Sequence, residues 1–148
     1  MQYAEGRVGR VFMMRIDDGE DLLDELTHFL DEKSIQHGVI HFLGALREGR
    51  LVTGPMAPVI PPVPNTEGIE GGWEILGIAT VYPSEGGPSL HLHASAGHMQ
   101  EVLTGCLRER AKTYLVVEAI IMEISGIAGM RTPDPELQVR LPVFGENG

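Results

Sequence analysis

The residues of the sequence best suited to chemistry are two histidines separated by a single residue. His91 and His93 flank Leu92 in a run of residues typical of a β-strand. Side chains two positions apart on a strand point to the same face, so both imidazoles can reach one metal ion. The alternative is a pair of half-exposed histidines with ordinary hydrogen bonds. The spacing alone leaves both interpretations open.

Two later residues could complete a metal site. His98 follows His93 by five residues, and Cys106 follows it by thirteen. Zinc binds imidazole and thiolate, and three protein ligands leave one position for water or substrate. Cys106 could instead be a small buried apolar residue, as free cysteines usually are, and His98 could be an exposed loop residue.

Glu118 is the other candidate for chemistry. It interrupts the apolar run 113–124, where a carboxylate is costly unless it is paired, hydrogen-bonded or near a metal. Its possible roles are a general base, a partner to a ligand histidine, or an ion pair with Arg15 or Arg47.

The elements that must position these residues are mostly strands. Hydrophobic patterning predicts one helix at 20–33, whose apolar stripe is Leu22, Leu23, Leu26, Phe29 and Leu30. It predicts strands at 7–16, 38–46, 51–52, 73–82, 89–95 and 113–124, and an edge strand at 138–144 limited by Pro142. We therefore expect an α+β fold with a central, mostly antiparallel β-sheet flanked by a few helices.

Glycine and proline mark the irregular parts of the chain. Gly44 predicts a bulge or a close backbone approach within its strand. Residues 55–64 hold five of the ten prolines, so we expect a Pro/Gly-rich surface loop at about 55–72.

Composition restricts the class of protein. A length of 148 residues predicts a single domain, 1–148, and the 43% hydrophobic content is that of an ordinary globular chain. The net charge of −10 and the presence of only two lysines disfavour a broad nucleic-acid-binding face. One cysteine, no apolar run of membrane-spanning length and no secretory signal predict a cytoplasmic protein with no membrane contact.

Several short motifs, in order, resemble the PPC domain (plants and prokaryotes conserved). They are Gly44–Gly49, the Pro/Gly-rich region, His91–Ala94, Thr104–Leu107 and Val117–Ile121. The resemblance extends over roughly residues 7–144 and implies an α+β domain that assembles as a homotrimer, with a metal-like site near the His-x-His strand.

The resemblance also indicates the third ligand. Family members often carry Gly-Gly-His-Leu after the His-x-His strand, and here Thr104-Gly105-Cys106-Leu107 places Cys106 where that histidine would be. We therefore predict a zinc site of His91, His93 and Cys106, with His98 as the alternative ligand. A thiolate favours zinc over harder cations.

Three functions follow as hypotheses. The first is a homotrimeric binding or assembly module with a metal site and a possible small-molecule ligand. The second is a zinc-dependent enzyme, decarboxylase- or hydrolase-like, acting on a small carbonyl or ester substrate with Glu118 as base, because the family fold is similar to that of acetolactate decarboxylase. The third is DNA binding, the label that the family carries. This chain lacks the Arg-Gly-Arg-Pro arm of the AT-hook, and its acidic composition argues against DNA.

Overall fold

Seven strands and one helix make up residues 1–145, the part of the chain that this computed structural model describes. In chain order they are β1 (Arg7–Asp17), α1 (Leu22–Glu32), β2 (Gly38–Pro55), β3 (Pro64–Ser84), β4 (Gly87–His98), β5 (Glu101–Ser125), β6 (Gly129–Asp134) and β7 (Val139–Phe144).

The first five strands form one antiparallel sheet in the order β1-β5-β2-β3-β4. The long strand β5 also pairs with β4, so the four strands β5, β2, β3 and β4 form a closed sheet. The helix α1 packs against the inner face of this sheet and buries Leu22, Leu26 and Leu30 completely. Removal of this apolar stripe from water is the main force that holds the helix on the sheet.

The predicted antiparallel sheet is confirmed, but it is flanked by one helix in the described residues rather than by a few. The helix begins at Leu22 because the Asp21 side chain accepts a hydrogen bond from the backbone N–H of Leu23 at 2.9 Å. The second carboxylate oxygen of Asp21 accepts from the Ala111 N–H at 2.9 Å, which ties the start of α1 to β5.

The predicted loop at 55–72 is wrong in its second half. The β2–β3 pairing continues until Pro55 lies opposite Pro64, so only residues 56–63 connect the two strands. The prolines are tolerated because they lie at the strand ends, where the ladder no longer needs their missing N–H groups. Gly44 does mark a close approach, as predicted: its φ is +144°, and a Cβ there would lie 2.2 Å from the Val116 carbonyl oxygen.

Strand β5 is twice as long as the predicted 113–124. Its first half, residues 101–113, is polar and irregular, with a left-handed φ of 64° at Glu109, so its sequence lacks a strand pattern. The predicted tail strand exists as β7, but it pairs with β6 in a separate hairpin instead of extending the main sheet. Within residues 1–145, no helix is long and apolar enough to cross a membrane.

Candidate functional site

Strand alternation places the two histidines on the face of the sheet away from α1, which we call the outer face. Leu92 and Ala94 are each 2% exposed in the core, whereas His91 and His93 are exposed. Cys106 lies directly opposite His93 in the β4–β5 pairing. The closing of the sheet thus brings together residues that are thirteen positions apart.

The three side chains have the geometry of a metal site. The Nε2 atoms of His91 and His93 are 3.1 Å apart. One ring nitrogen of each histidine and the Cys106 Sγ all lie within 4.8 Å of one another. Donor atoms that share a tetrahedral zinc at normal bond lengths stand roughly 3.3 to 3.6 Å apart. The two nitrogens are within a few tenths of an ångström of this separation, and a side-chain movement of about 1 Å brings the sulfur to it. The donor set therefore fits zinc.

The surroundings of the site are positively charged. Burial lowers the pKa of His91, and the charges of His93, Arg131 and Arg108 lower it further. The imidazole therefore favours its neutral form, which is the form that binds metals. Arg108 Nε donates to the Cys106 sulfur at 3.3 Å, which places a guanidinium beside the third donor.

A cleft of about 1310 Å³ opens next to these donors. Its walls are formed by strands β3, β4 and β5, the β6–β7 hairpin and one side of α1. The residues that line it include Thr80, Tyr82, His91, Cys106, Arg108 and Arg131. A small molecule that enters the cleft can therefore reach the donor atoms.

His98, the alternative ligand, lies outside this cluster. It follows His93 by five positions on the same strand, and because successive side chains alternate between faces, its side chain points to the opposite face. Its Nδ1 is 2.6 Å from the Gly72 carbonyl oxygen, and its ring packs on Trp73 with centroids 5.3 Å apart. The structure therefore brings Cys106, and not His98, to the histidine pair.

Glu118 is also remote from the cluster. It is exposed on the outer face, where it lies opposite Leu43 of β2. Strands β2 and β3 separate it from β4 on this side of the sheet, a distance of roughly 14 Å at the usual strand spacing. Neither suggested arginine pairs with it, because Arg15 binds Asp17 at 2.7 Å and Arg47 binds Asp18. The catalytic role of Glu118 stays a prediction that this geometry does not favour.

Three arginines at the cleft were missed by the sequence analysis. Arg108, Arg131 and Arg140 all line it, yet they come from three different strands. They are scattered along the sequence and form no motif. Only the packing of the hairpin against the sheet could have revealed that they converge.

Solved structures share this fold over nearly the whole chain. A metal-containing protein from Archaeoglobus fulgidus is 27% identical, with a TM-score of 0.85, and the match covers 97% of this chain and 99% of that one. A plant- and prokaryote-conserved protein from Pyrococcus horikoshii is 23% identical, with a TM-score of 0.82 and coverage of 100% and 99%.

A third similar structure is from Bacteroides thetaiotaomicron, and its assignment as a DNA-binding protein is provisional. It is 22% identical, with a TM-score of 0.79 and coverage of 95% and 97%. At the identities of the second and third structures, the likeness shows the fold alone. No curated protein matches the chain significantly.

The protein family that matches this chain agrees with the motifs in its sequence. The Plants and Prokaryotes Conserved (PCC) domain matches residues 3–125, which include the His-x-His strand, Cys106 and the whole closed sheet. The chain therefore belongs to the PCC domain family, as its motifs predicted.

Proposed function

We propose that this protein is a metal-binding module in which His91, His93 and Cys106 hold zinc beside a cleft that admits a small ligand. The observation that supports this most strongly is the meeting of three donor atoms within 4.8 Å on two paired strands. The structurally similar protein from Archaeoglobus fulgidus is described as metal-containing, which is consistent with the proposal.

The open side of the site faces the cleft. Three protein ligands leave a fourth tetrahedral position, and a bound zinc would polarise a carbonyl group or activate a water there. Ordinary hydrolysis also needs a group that moves a proton near this position. Among residues 1–145, the carboxylates that line the cleft are Glu109 and Asp134, and both are engaged elsewhere. We therefore favour ligand binding over a hydrolase- or decarboxylase-like activity on carbonyl or ester substrates.

Elemental analysis of purified protein tests the metal site. We expect near-stoichiometric zinc in the wild type and less than a tenth of it in a His91→Ala/His93→Ala double variant. His41→Ala is the matched control, because His41 is an exposed histidine on the same face but outside the cluster. It should keep its zinc. A metal-free wild type, or a double variant with as much zinc as the control, would overturn the proposal.

We also propose that the outer face mediates assembly into a homotrimer, the state that the family resemblance implies. Neighbouring strands expose apolar side chains there, including Leu43 (58%), Leu76 (66%), Ile78 (45%) and Ile120 (39%). Leu43 lies directly opposite Leu76, so these residues form a continuous patch. Apolar patches of this kind on one chain are commonly covered by a partner.

Sedimentation equilibrium at micromolar concentration tests the trimer. A charge at the centre of the patch, Leu76→Glu, should yield monomers, since it buries an unpaired carboxylate in the contact. Val59→Glu introduces the same charge at an exposed apolar residue of the 56–63 loop and should remain trimeric. Wild-type protein that is only monomeric would contradict the proposal.

DNA binding is less favoured than these functions. Six of the basic residues are paired with carboxylates, and three of the others line the cleft rather than a broad surface. Counterion release from DNA requires an extended basic face. We expect no binding to duplex DNA at low salt, and a salt-dependent shift in an electrophoretic assay would restore this function.

A further inference from the structure

Arg131 is a buried cation without a carboxylate partner in the described chain. Its side chain lies in the β6–β7 hairpin, and the residue is only 6% exposed. One terminal nitrogen donates to the Arg140 carbonyl oxygen at 3.1 Å, and the other donates to the Thr80 hydroxyl at 3.4 Å. The Nε atom is buried and has no hydrogen-bond partner among residues 1–145. A buried guanidinium is normally stabilised by an anion, so this one lacks its expected partner.

Thr80 shows where this guanidinium lies relative to the proposed metal site. It is directly opposite His91 in the β3–β4 pairing, so the guanidinium held by its hydroxyl lies beside that histidine. Arg108 approaches the same cluster from β5, through its contact with Cys106. Arg140 adjoins Arg131 in the hairpin, because its Nη2 donates to the Arg131 carbonyl oxygen at 3.2 Å. Three positive charges therefore converge on one end of the cleft.

None of these three arginines forms an ion pair within residues 1–145, although acidic residues outnumber basic ones by 21 to 11. The carboxylates that line the cleft have other partners. Glu109 binds Arg50 at 3.0 Å, and Asp134 accepts hydrogen bonds from backbone N–H groups in the β6–β7 turn. The chain thus keeps its own carboxylates away from these arginines.

We propose that this end of the cleft binds a small organic oxyanion, with Arg131 as the principal anion-binding residue and Arg108 as the second. A guanidinium binds carboxylate or phosphate oxygens through parallel hydrogen bonds, and the unpartnered Nε supplies one such donor. The inference deepens the proposed function, because an anion held here lies next to His91 and can extend toward the metal position. It rests on the proposed function only for the contact between the bound anion and the metal.

Arg131 and Arg140 lie beyond residues 3–125, which are the residues that match the PCC domain. The residues of the proposed metal site, in contrast, all lie within the matched region.

Calorimetric titration at low ionic strength tests the anion site. The probes are malonate, a dicarboxylate, and inorganic phosphate, each titrated into the full chain as purified. We expect at least one probe to bind the wild type at millimolar concentration or below, and the preferred probe identifies the oxyanion. Arg131→Gln and Arg108→Gln should each weaken that binding about tenfold or more, since each removes a charge-assisted contact. Arg15→Gln, which changes an exposed arginine outside the cleft, should bind like the wild type.

A failure of this inference can be separated from a failure of the metal site. Anion binding that persists in the His91→Ala/His93→Ala variant but is lost in Arg131→Gln supports the oxyanion site even in a protein without zinc. If Arg131→Gln does not fold, Arg108→Gln decides, because Arg108 is exposed and its removal leaves the core intact. Wild-type protein that binds neither probe at millimolar concentration, or cleft variants that bind as tightly as Arg15→Gln, would overturn the inference.

Discussion

Gly77 of strand β3 is a position where one added methyl group should disturb both the core and the metal site. A Cβ at Gly77 would lie 2.2 Å from Phe42 Cζ and 2.3 Å from the His93 carbonyl oxygen. Ordinary contacts of this kind are roughly 3.5 Å, so each neighbour must move by about 1 Å. Phe42 is 4% exposed and fixed in the core, and the His93 oxygen is part of the backbone of β4. Neither group can rotate away.

We therefore expect Gly77→Ala to lower the free energy of unfolding by about 1 to 3 kcal/mol, the usual cost of overpacking a core. The upper part of that range is favoured because one of the two obstacles is backbone. For a chain of this length, such a change lowers the melting temperature by roughly 2 to 4 °C per kcal/mol. Displacement of the His93 backbone should also weaken zinc binding.

Gly68→Ala is the matched control for this substitution. Gly68 lies on the same strand and does not have a left-handed φ, and no heavy atom of the described residues lies within 4 Å of its would-be Cβ. It should be neutral or slightly stabilising, because alanine has less conformational freedom than glycine in the unfolded chain. Urea unfolding in EDTA removes the contribution of the metal, and a single protein concentration keeps the contribution of assembly equal for the variants compared. The reasoning is refuted if Gly77→Ala and Gly68→Ala unfold at the same urea concentration.

Two further predictions concern the helix and a surface ion pair. Asp21→Ala removes the N-cap of α1 and the hydrogen bond to the Ala111 N–H. It should therefore lower the free energy of unfolding, measured in urea, by about 1 to 2 kcal/mol. Asp24→Ala, in the exposed first turn, should have a much smaller effect. Hydrogen bonds from Arg10, foremost from its side chain, lower the pKa of Glu123 to about 2. The ionised carboxylate therefore stabilises the fold fully above its ordinary pKa of 4.5. This stabilisation is lost as the pH falls from 4.5 through 2. In urea unfolding, Glu123→Gln should therefore be less stable than the wild type at pH 6, and the difference should shrink toward pH 2; a difference that is constant with pH would contradict this assignment.

The local features of the site could be predicted because they depend on neighbours in the chain. The shared face of His91 and His93 follows from the two-residue period of any strand, and the stripe of α1 follows from the helical period. The close approach at Gly44 could be predicted because a glycine inside a strand typically marks a bulge or a place where another backbone comes near.

The limits of the elements were harder to predict. The β2–β3 pairing extends through residues 64–70, because prolines and glycines are acceptable at a hairpin end once the register is set elsewhere. The polar first half of β5 has no alternating pattern, yet it pairs with both β2 and β4. Strand pairing stabilises such a segment through backbone hydrogen bonds that its side chains do not reveal.

By itself, the sequence determined the family, the antiparallel sheet and the histidine pair, since these depend on short motifs and periodicity. The tertiary structure alone decided which distant residues meet the pair. Cys106 reaches it because the register of β4 against β5 places it opposite His93, and Glu118 is remote because two strands intervene. The convergence of Arg108 and Arg131 depends on a hairpin that folds back over β3, and contacts so far apart in the chain leave no pattern in its sequence.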